Sequence, residues 1–560
     1  MKITVLLKRR EVLSRFFYPG NLTRLLLIFV ISGFYFSCAR IPYQQVPAQP
    51  IVRVGIFEGQ DEIDFEPLNS FLVLGKKKGE KFSLSETGLW KAKVVNGTPA
   101  PTVYRILFVQ TFQKERAKSI LHKFSSQNIR VELFTTGDAL RVGNKTIVDR
   151  QNYRVVLAKD FDSERQAAAY LATTPRLAGG KVVREKMGRA HGFIRLISPS
   201  GKTLVIENAL RITKSPVVLK NVRVGQGFQW EREENRTFTG EMEFRIDASG
   251  KLTAINVLTM DNYLQGVLPG EMTSSFPLEA LKAQAIVART LFLYNFGRKH
   301  LDEPFDVCDD VHCQSFIGSG QDAPSIRKVV RETKGFVLTF DHRLCSTPYS
   351  ALCGGHTENA ENVWNSDGEP YLVGVFDVLK NEELLRAFDL SKNANVKKWV
   401  ESRPTVNCNA ALMGDPHFSA YSDKYFRWQE EYSAKELSRI IEEKTGEQIG
   451  ALLDIVPLRR GVSGRIIDLQ VIGSVTSLTI HNELNIRRAL ARKTLYSACF
   501  VVDKISDAEG GVQKFIFKGA GWGHGVGMCQ IGAGMMALQG KSAADILAHY
   551  YRGTRIEKFY

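Results

Sequence analysis

Residues 261–295 read DNYLQGVLPGEMTSSFPLEALKAQAIVARTLFLYN, and their reading sets the fold of the functional half. The Pro269–Gly270 pair predicts a turn. Ser275 and Pro277 predict the start of a helix running to about Arg298. Within it Leu281, Ala285, Ala288 and Phe292 recur at i, i+4, i+7 and i+11, one apolar stripe for a core. One carboxylate, Glu271, stands at the entry to that helix. Partial shielding there raises a carboxyl pKa and keeps the group protonated, as a general acid requires. Taken alone, Glu271 reads as a surface glutamate.

Working outward, the 560 residues suffice for two to four domains, and 44% hydrophobic with 24% charged content excludes a disordered chain. The formal net charge of +16 fits nucleic acid, an anionic membrane or an acidic polymer. The N-terminus chooses among them. Lys8, Arg9, Arg10, Arg15 and Arg24 precede LLLIFVISGFYF, 12 apolar residues that end at Ser37–Cys38. Such a run is short for a membrane span and has the shape of a secretory leader, with Cys38 a lipidation site of the bacterial lipoprotein kind; an uncleaved anchor is the alternative. Either way the chain lies outside the cytoplasm, in the cell envelope, and nucleic acid falls away. Residues 1–38 are thus a leader or anchor. The linker, 39–50, is polar and proline-rich.

IVRVGIF from Ile51 begins a β segment (51–100). A repeat follows: YRILFVQTFQKERAKSIL from Tyr104 and YRVVLAKDFDSERQAAAYL from Tyr153, 49 residues apart. Each copy predicts a strand and an amphipathic helix, and NIRVELFTTGDALRVGNKTIV supplies more strand, giving a βαββα unit over 101–178. This resembles the SPOR peptidoglycan-binding domain; an unrelated ferredoxin-like α+β insert is the alternative. Residues 179–239 are β-rich scaffold. FIRLISPSGKTLVIENAL and MEFRIDASGKLTAINVL each place a Ser-Gly-Lys turn between strands. The class expected overall is α+β and multi-domain, with the chemistry in 240–560.

Three further clusters carry that chemistry. In KHLDEPFDVCDDVHCQSF, His300, Cys308, His312 and Cys313 are ligands suited to tetrahedral zinc, provided a loop presents the adjacent His312 and Cys313. A Cys308–Cys313 disulfide competes outside the cytoplasm. Cys345 and Cys353 are a further disulfide candidate, whereas Cys408, Cys499 and Cys529 have no evident partners. In YSALCGGHTENAENVW, Gly355, Thr357 and Glu358 offer close backbone and hydrogen-bonding groups and Trp364 an apolar platform, a mixture that suits a sugar; a plain polar hairpin loop is the alternative. In GAGWGHGVGMCQIGAGMMALQG, six of the 14 residues from 521 to 534 are glycine, with Trp522, His524 and Gln530 the large polar or aromatic heads. That density implies backbone packed against something, with His524 aimed at it.

YLQGVLPGEM, ALKAQAIVART, DVCDDVHCQSF, GGHTENAENVW, SGRIIDL and GWGHGVGMCQIGAGMMA occur in the order seen in the SpoIID/LytB family, which the chain resembles over about 240–560. The resemblance implies a peptidoglycan lytic transglycosylase with Glu271 as the catalytic acid. It also implies a structural zinc on the His/Cys cluster, His300 being the least fixed ligand. Such an enzyme needs one acid and no carboxylate nucleophile, because the muramic acid 6-hydroxyl attacks C1 and closes a 1,6-anhydro ring. Gln314, Thr357 and His524, with Gly355, Glu358, Trp364 and Gln530, are expected to bind the sugar. The partners implied are glycan strands stripped of stem peptides, a wall amidase and the membrane. Some members of the family are amidase enhancers, so a non-catalytic wall-binding protein is one rival reading. A zinc amidase, which needs an open metal position, is the other.

Overall fold

The computed structural model describes residues 48–560 apart from 76–78, 138, 320–322, 365, 379–387 and 414–415. The expected leader with Cys38, and the linker up to residue 47, lie outside the described residues. Among the described residues no helix is long and apolar enough to cross a membrane.

The chain is α+β, with several sheets and helices. Ile51–Gln60 pairs antiparallel with Leu252–Thr259, so the opening strand closes the same sheet as the strand leading into Glu271. Leu252, Ala254 and Leu258 enter the main core, while Ile255 and Val257 on the opposite face pack with Phe305. Both faces are covered, which explains a strand that reads as a continuous apolar run. The two Ser-Gly-Lys turns do join antiparallel pairs, His191–Ile197 with Thr203–Glu207 and Glu241–Ile246 with Leu252–Thr259. They lie in different sheets, one six-stranded and one seven-stranded. Phe65 of the first meets Phe244 of the second at 5.1 Å between ring centroids, where the sheets face each other.

The repeat forms a four-stranded antiparallel sheet in the order Lys181–Lys186, Thr102–Thr111, Asn152–Leu157, Val131–Thr136, with helices Lys114–Ser126 and Glu164–Ala172. The unit is therefore βαββαβ, one strand longer than expected. It ends where it began: the Met187 N–H donates to the Pro101 carbonyl at 2.6 Å. A hairpin inside it, Ala139–Val142 with Lys145–Asp149, leaves the unit and puts Leu140, Ile147 and Val148 into the main core.

The predicted turn at Pro269–Gly270 is instead the last turn of a helix, Met260–Glu271, capped by the Thr259 side chain. Pro269 forfeits the one intrahelical bond its N–H would have made, and Gly270 lets the helix meet the Ser315 carbonyl, where a Cβ would lie 2.5 Å away. Glu271 thus closes one helix rather than opening the next. The next helix, Leu278–Asn295, follows Pro277, and Ser275 pairs with Thr273 rather than capping it. Its burial exceeds a stripe: Gln284, Arg289 and Thr290 are as enclosed as Leu281 and Phe292. Helices Met260–Glu271, Pro324–Glu332, Gln530–Leu538 and Ala543–Tyr550 and the strand Phe336–Phe340 surround it. A second core between Trp428 and Phe517 holds two three-stranded sheets, Arg427–Ser433 with Val512–Ala520 and Phe500–Ser506, and Leu452–Arg460 with Ile466–Gly473 and Ser477–His481.

Candidate functional site

Glu271 lines a cleft of about 1970 Å³ together with Trp230, Tyr349, Trp364, Tyr421, Trp522, His524, Gln530 and the His/Cys cluster. That exceeds the roughly 300–1,000 Å³ of small-molecule pockets and has the size of a polymer groove. Burial raises the Glu271 pKa, and the Asp310 carboxylate adds to the rise. The carboxyl also stands at a helix C-terminus, whose partial negative charge disfavours its ionised form. Three contacts act the other way: the Ser315 N–H donates to Oε1 at 2.7 Å, Tyr349 hydrogen-bonds the carboxyl, and Gln530 Nε2 reaches Oε2 at 3.4 Å. Burial wins, and the result is an acid protonated above the usual carboxylate range.

Tyr349 was not foreseen from the sequence. Gln314 Nε2 donates to the Ala288 carbonyl at 3.3 Å and to Tyr263 Oη at 3.1 Å, which fixes the amide so that its Oε1 faces the Tyr349 hydroxyl at 3.0 Å. Gln314 itself is buried and does not line the cleft, so its part is to aim Tyr349 rather than to touch sugar. Tyr349 belongs to a two-residue strand, Tyr349–Ser350, paired in parallel with Met528–Cys529. That pairing carries Gln530 to the acid.

The four expected metal ligands meet. His300 Nε2 is 3.2 Å from Cys313 Sγ, and His312 Nδ1 is 3.7 and 3.6 Å from the sulfurs of Cys308 and Cys313. All four donor atoms lie within 4.8 Å of one another. Tetrahedral zinc separates an imidazole nitrogen from a thiolate sulfur by about 3.5 Å, so the donor set fits zinc. Cys308 lies on the strand Val307–Cys308 at the edge of the seven-stranded sheet, and His300 takes a left-handed backbone (φ 53°) that turns its ring to the loop. Cys313 is drawn down to about 7 by the neighbouring Cys308 thiol, with Lys299 assisting. Cys308 and Cys313 are free thiols, as are Cys345 and Cys353, so neither expected disulfide is formed.

The other expected sugar ligands divide. Trp364, 48% exposed, packs on His524 at 5.0 Å between centroids, and both face the cleft. His524 Nδ1 accepts the Val526 N–H at 3.0 Å, leaving Nε2 as the donor. Burial, then Arg465 and Arg487, lower its pKa to about 3, so it is a neutral donor. Gly355, Thr357 and Glu358 are interior. A Cβ on Gly355 would lie 2.7 Å from Trp399. Thr357 exchanges hydrogen bonds with the Val375 backbone. Glu358 accepts from the Val462 and Ser463 N–H groups, the Ser463 hydroxyl and Asn362. Glu358 thus knits this segment to residues 461–465, and none of the three lines the cleft. The glycine-rich run has the same logic. Gly525 packs on the Arg465 guanidinium, where a Cβ would lie 2.3 Å from Cζ, and Arg465 bridges to the Cys353 and Gly523 carbonyls.

Missed, besides Tyr349, is an aromatic wall. Trp522 stacks on Tyr421 at 5.6 Å and 23°, and Trp230 and Tyr425 meet it at 5.3 and 4.3 Å. Tyr421 remains 37% exposed. These residues come from loops and helices far apart in sequence, and no local spacing reveals them.

Residues 248–340 match the family described as stage II sporulation protein, and 358–527 match a domain of unknown function, DUF8618. An uncharacterized protein of Brachyspira hyodysenteriae is 28% identical over 63% of this chain and 81% of its own length. The amidase enhancer of Bacillus subtilis is 26% identical over 53% of this chain, and the match spans only 40% of that protein. The stage II sporulation protein D of Bacillus amyloliquefaciens is 26% identical over 54% of this chain and 76% of its own length. The chain is a distant and partial homologue of the SpoIID and amidase-enhancer proteins.

Proposed function

We propose that the protein is a lytic transglycosylase of the cell envelope that cleaves the bond between N-acetylmuramic acid and N-acetylglucosamine in peptide-free glycan strands. The observation that carries the reading is the half-buried Glu271, its pKa raised, lining a polymer-sized cleft with an aromatic wall. Glu271 protonates the glycosidic oxygen as the bond to C1 breaks. Its carboxylate, held by Ser315, Tyr349 and Gln530, then takes the proton of the muramic acid 6-hydroxyl as that oxygen bonds to C1. The nucleophile belongs to the substrate, so the pair of acids used by ordinary glycosidases is not required. Asp310, the nearby carboxylate that repels Glu271, accepts from the Gly225, Gln226 and Val311 N–H groups.

The Trp364 and Trp522 faces stack the sugar rings, and His524, hydrogen-bonded to the backbone of Val526 and Tyr349, supports Trp364. Zinc on His300, Cys308, His312 and Cys313 would be structural, since four protein donors close the tetrahedron. A closed site argues against a zinc amidase. The βαββαβ unit over 101–187 is proposed to bind glycan, and Cys38 to tether the chain to the membrane.

The reading is tested with Glu271→Gln on purified peptide-free glycan. Turnover should fall by on the order of 10²–10⁴ while glycan binding persists. A fully active variant would move the acid elsewhere, and a wild type that binds glycan without cleaving it would favour an enhancer of another enzyme.

A further inference from the structure

Behind the cleft floor lies a second cluster that the mechanism does not use. Cys353, Cys408, Cys529 and Asp377 are each buried, and their donor atoms lie within 4.8 Å of one another. Cys353 Sγ is 3.5 Å from Cys408 Sγ and 3.4 Å from Asp377 Oδ2. Tetrahedral zinc holds two thiolates about 3.8 Å apart and a thiolate about 3.5 Å from a carboxylate oxygen. We propose that these four residues form a second, structural zinc site, separate from the one at His300, Cys308, His312 and Cys313.

The surroundings hold the donor atoms in place. Two of the sulfurs accept backbone N–H groups: Cys529 from Cys353 at 3.3 Å and from Gly532 at 3.4 Å, and Cys353 from Gly355 at 3.4 Å. Such bonds orient the sulfurs toward one another, as outer-shell partners do at metal sites. Asp377 is held at both oxygens. Oδ1 accepts from the Tyr550 hydroxyl at 2.7 Å and Asn407 Nδ2 at 3.2 Å, and Oδ2, the oxygen facing Cys353, accepts from the Cys408 N–H at 3.1 Å. The cradle leaves no slack, since a Cβ on Gly532 would lie 2.6 Å from Asp377 Oδ2. Three sulfurs and one carboxylate oxygen thus converge on one point of an apolar interior. Arg427, half-buried nearby, donates its guanidinium N–H groups to the carbonyls of Gly354, Trp399, Ser402 and Phe426. His549 Nε2 stands 3.8 Å from Asp377 Oδ1, on the side away from the sulfurs' contact with Oδ2. A metal binding here would displace the thiol protons, and three sulfurs with one oxygen select zinc over calcium or magnesium. The site would pin three segments distant in sequence, one of which continues from Cys529 into Gln530 against Glu271.

The test counts metal in the full chain, purified under reducing conditions and passed through gel filtration. Wild type should carry about two zinc ions. Cys308→Ser/Cys313→Ser, at half-exposed positions, should remain folded by circular dichroism and carry one. After cobalt exchange that same variant should keep tetrahedral d–d bands and a strong sulfur-to-cobalt charge-transfer band. Cys408→Ser should lose one zinc while the first site stays filled. A folded Cys308→Ser/Cys313→Ser protein without zinc and without cobalt bands would overturn the proposal. So would peptide mass spectra showing Cys353 and Cys408 joined as a disulfide in protein purified without reductant.

Discussion

The Ser315 N–H donates to Glu271 Oε1 at 2.7 Å, and Ser315 is two residues beyond the candidate metal ligand Cys313. Three successive residues thus hold a ligand, the amide that aims Tyr349, and the donor that holds the acid. The loop that would bind zinc and the orientation of the acid are one piece of structure.

Tyr349→Phe tests that wiring. The Tyr349 hydroxyl favours the ionised form of Glu271, so removing it should raise the acid's pKa further and move the falling limb of the pH–rate profile to higher pH. The rate constant for turnover should drop roughly tenfold or more while KM changes little, because the hydroxyl serves the acid rather than the sugar. A KM effect alone would make Tyr349 a sugar ligand.

The metal loop should behave as a folding element. Chelation, or Cys308→Ser, is expected to lower Tm, because metal affinity at a closed site is folding free energy. Activity lost on chelation should return with zinc alone. Magnesium should not replace it, since it prefers oxygen donors.

Trp522→Ala removes the centre of the aromatic wall, and Trp364→Ala the exposed ring over His524. Each should raise KM for long glycan about tenfold, since a ring contact is worth about 0.5–1.5 kcal/mol beyond its area. Turnover at saturation should stay near wild type, checked by initial rates across glycan concentrations.

Much of this was legible in the sequence because it is local. The ligands from His300 to Cys313 lie on one loop, the two Ser-Gly-Lys turns announce their hairpins, and the Tyr104/Tyr153 repeat gives both strand–helix units. The turn predicted at Pro269–Gly270 failed because Pro269 is packed into the core within the helix's last turn, where its burial offsets the one backbone bond it forfeits. Gly355, Thr357 and Glu358 looked like sugar ligands because buried hydrogen-bonding groups and ligand-binding ones are the same residue types. Only the fold tells which side they face. The meeting of Cys353, Cys408 and Cys529 joins positions far apart in the chain, which no spacing rule reports.

Glu271→Gln should raise Tm at neutral pH. A carboxyl whose pKa is raised in the folded state binds more protons folded than unfolded. Stability is therefore full below the ordinary value of 4.5 and falls as pH rises through the raised one. Glutamine does not ionise and escapes that loss. The gap between variant and wild type should close below the ordinary carboxylate range, as measured by thermal denaturation at a series of pH values.

The most direct measurement is the mass of the new chain end when wild-type protein digests peptide-free glycan in water enriched in heavy oxygen. Attack by the 6-hydroxyl predicts a 1,6-anhydromuramic end, lighter than the hydrolytic product by one water and carrying no heavy oxygen. Reducing ends labelled with solvent oxygen would mean that water attacks C1, and would contradict a transglycosylase built on the single acid Glu271.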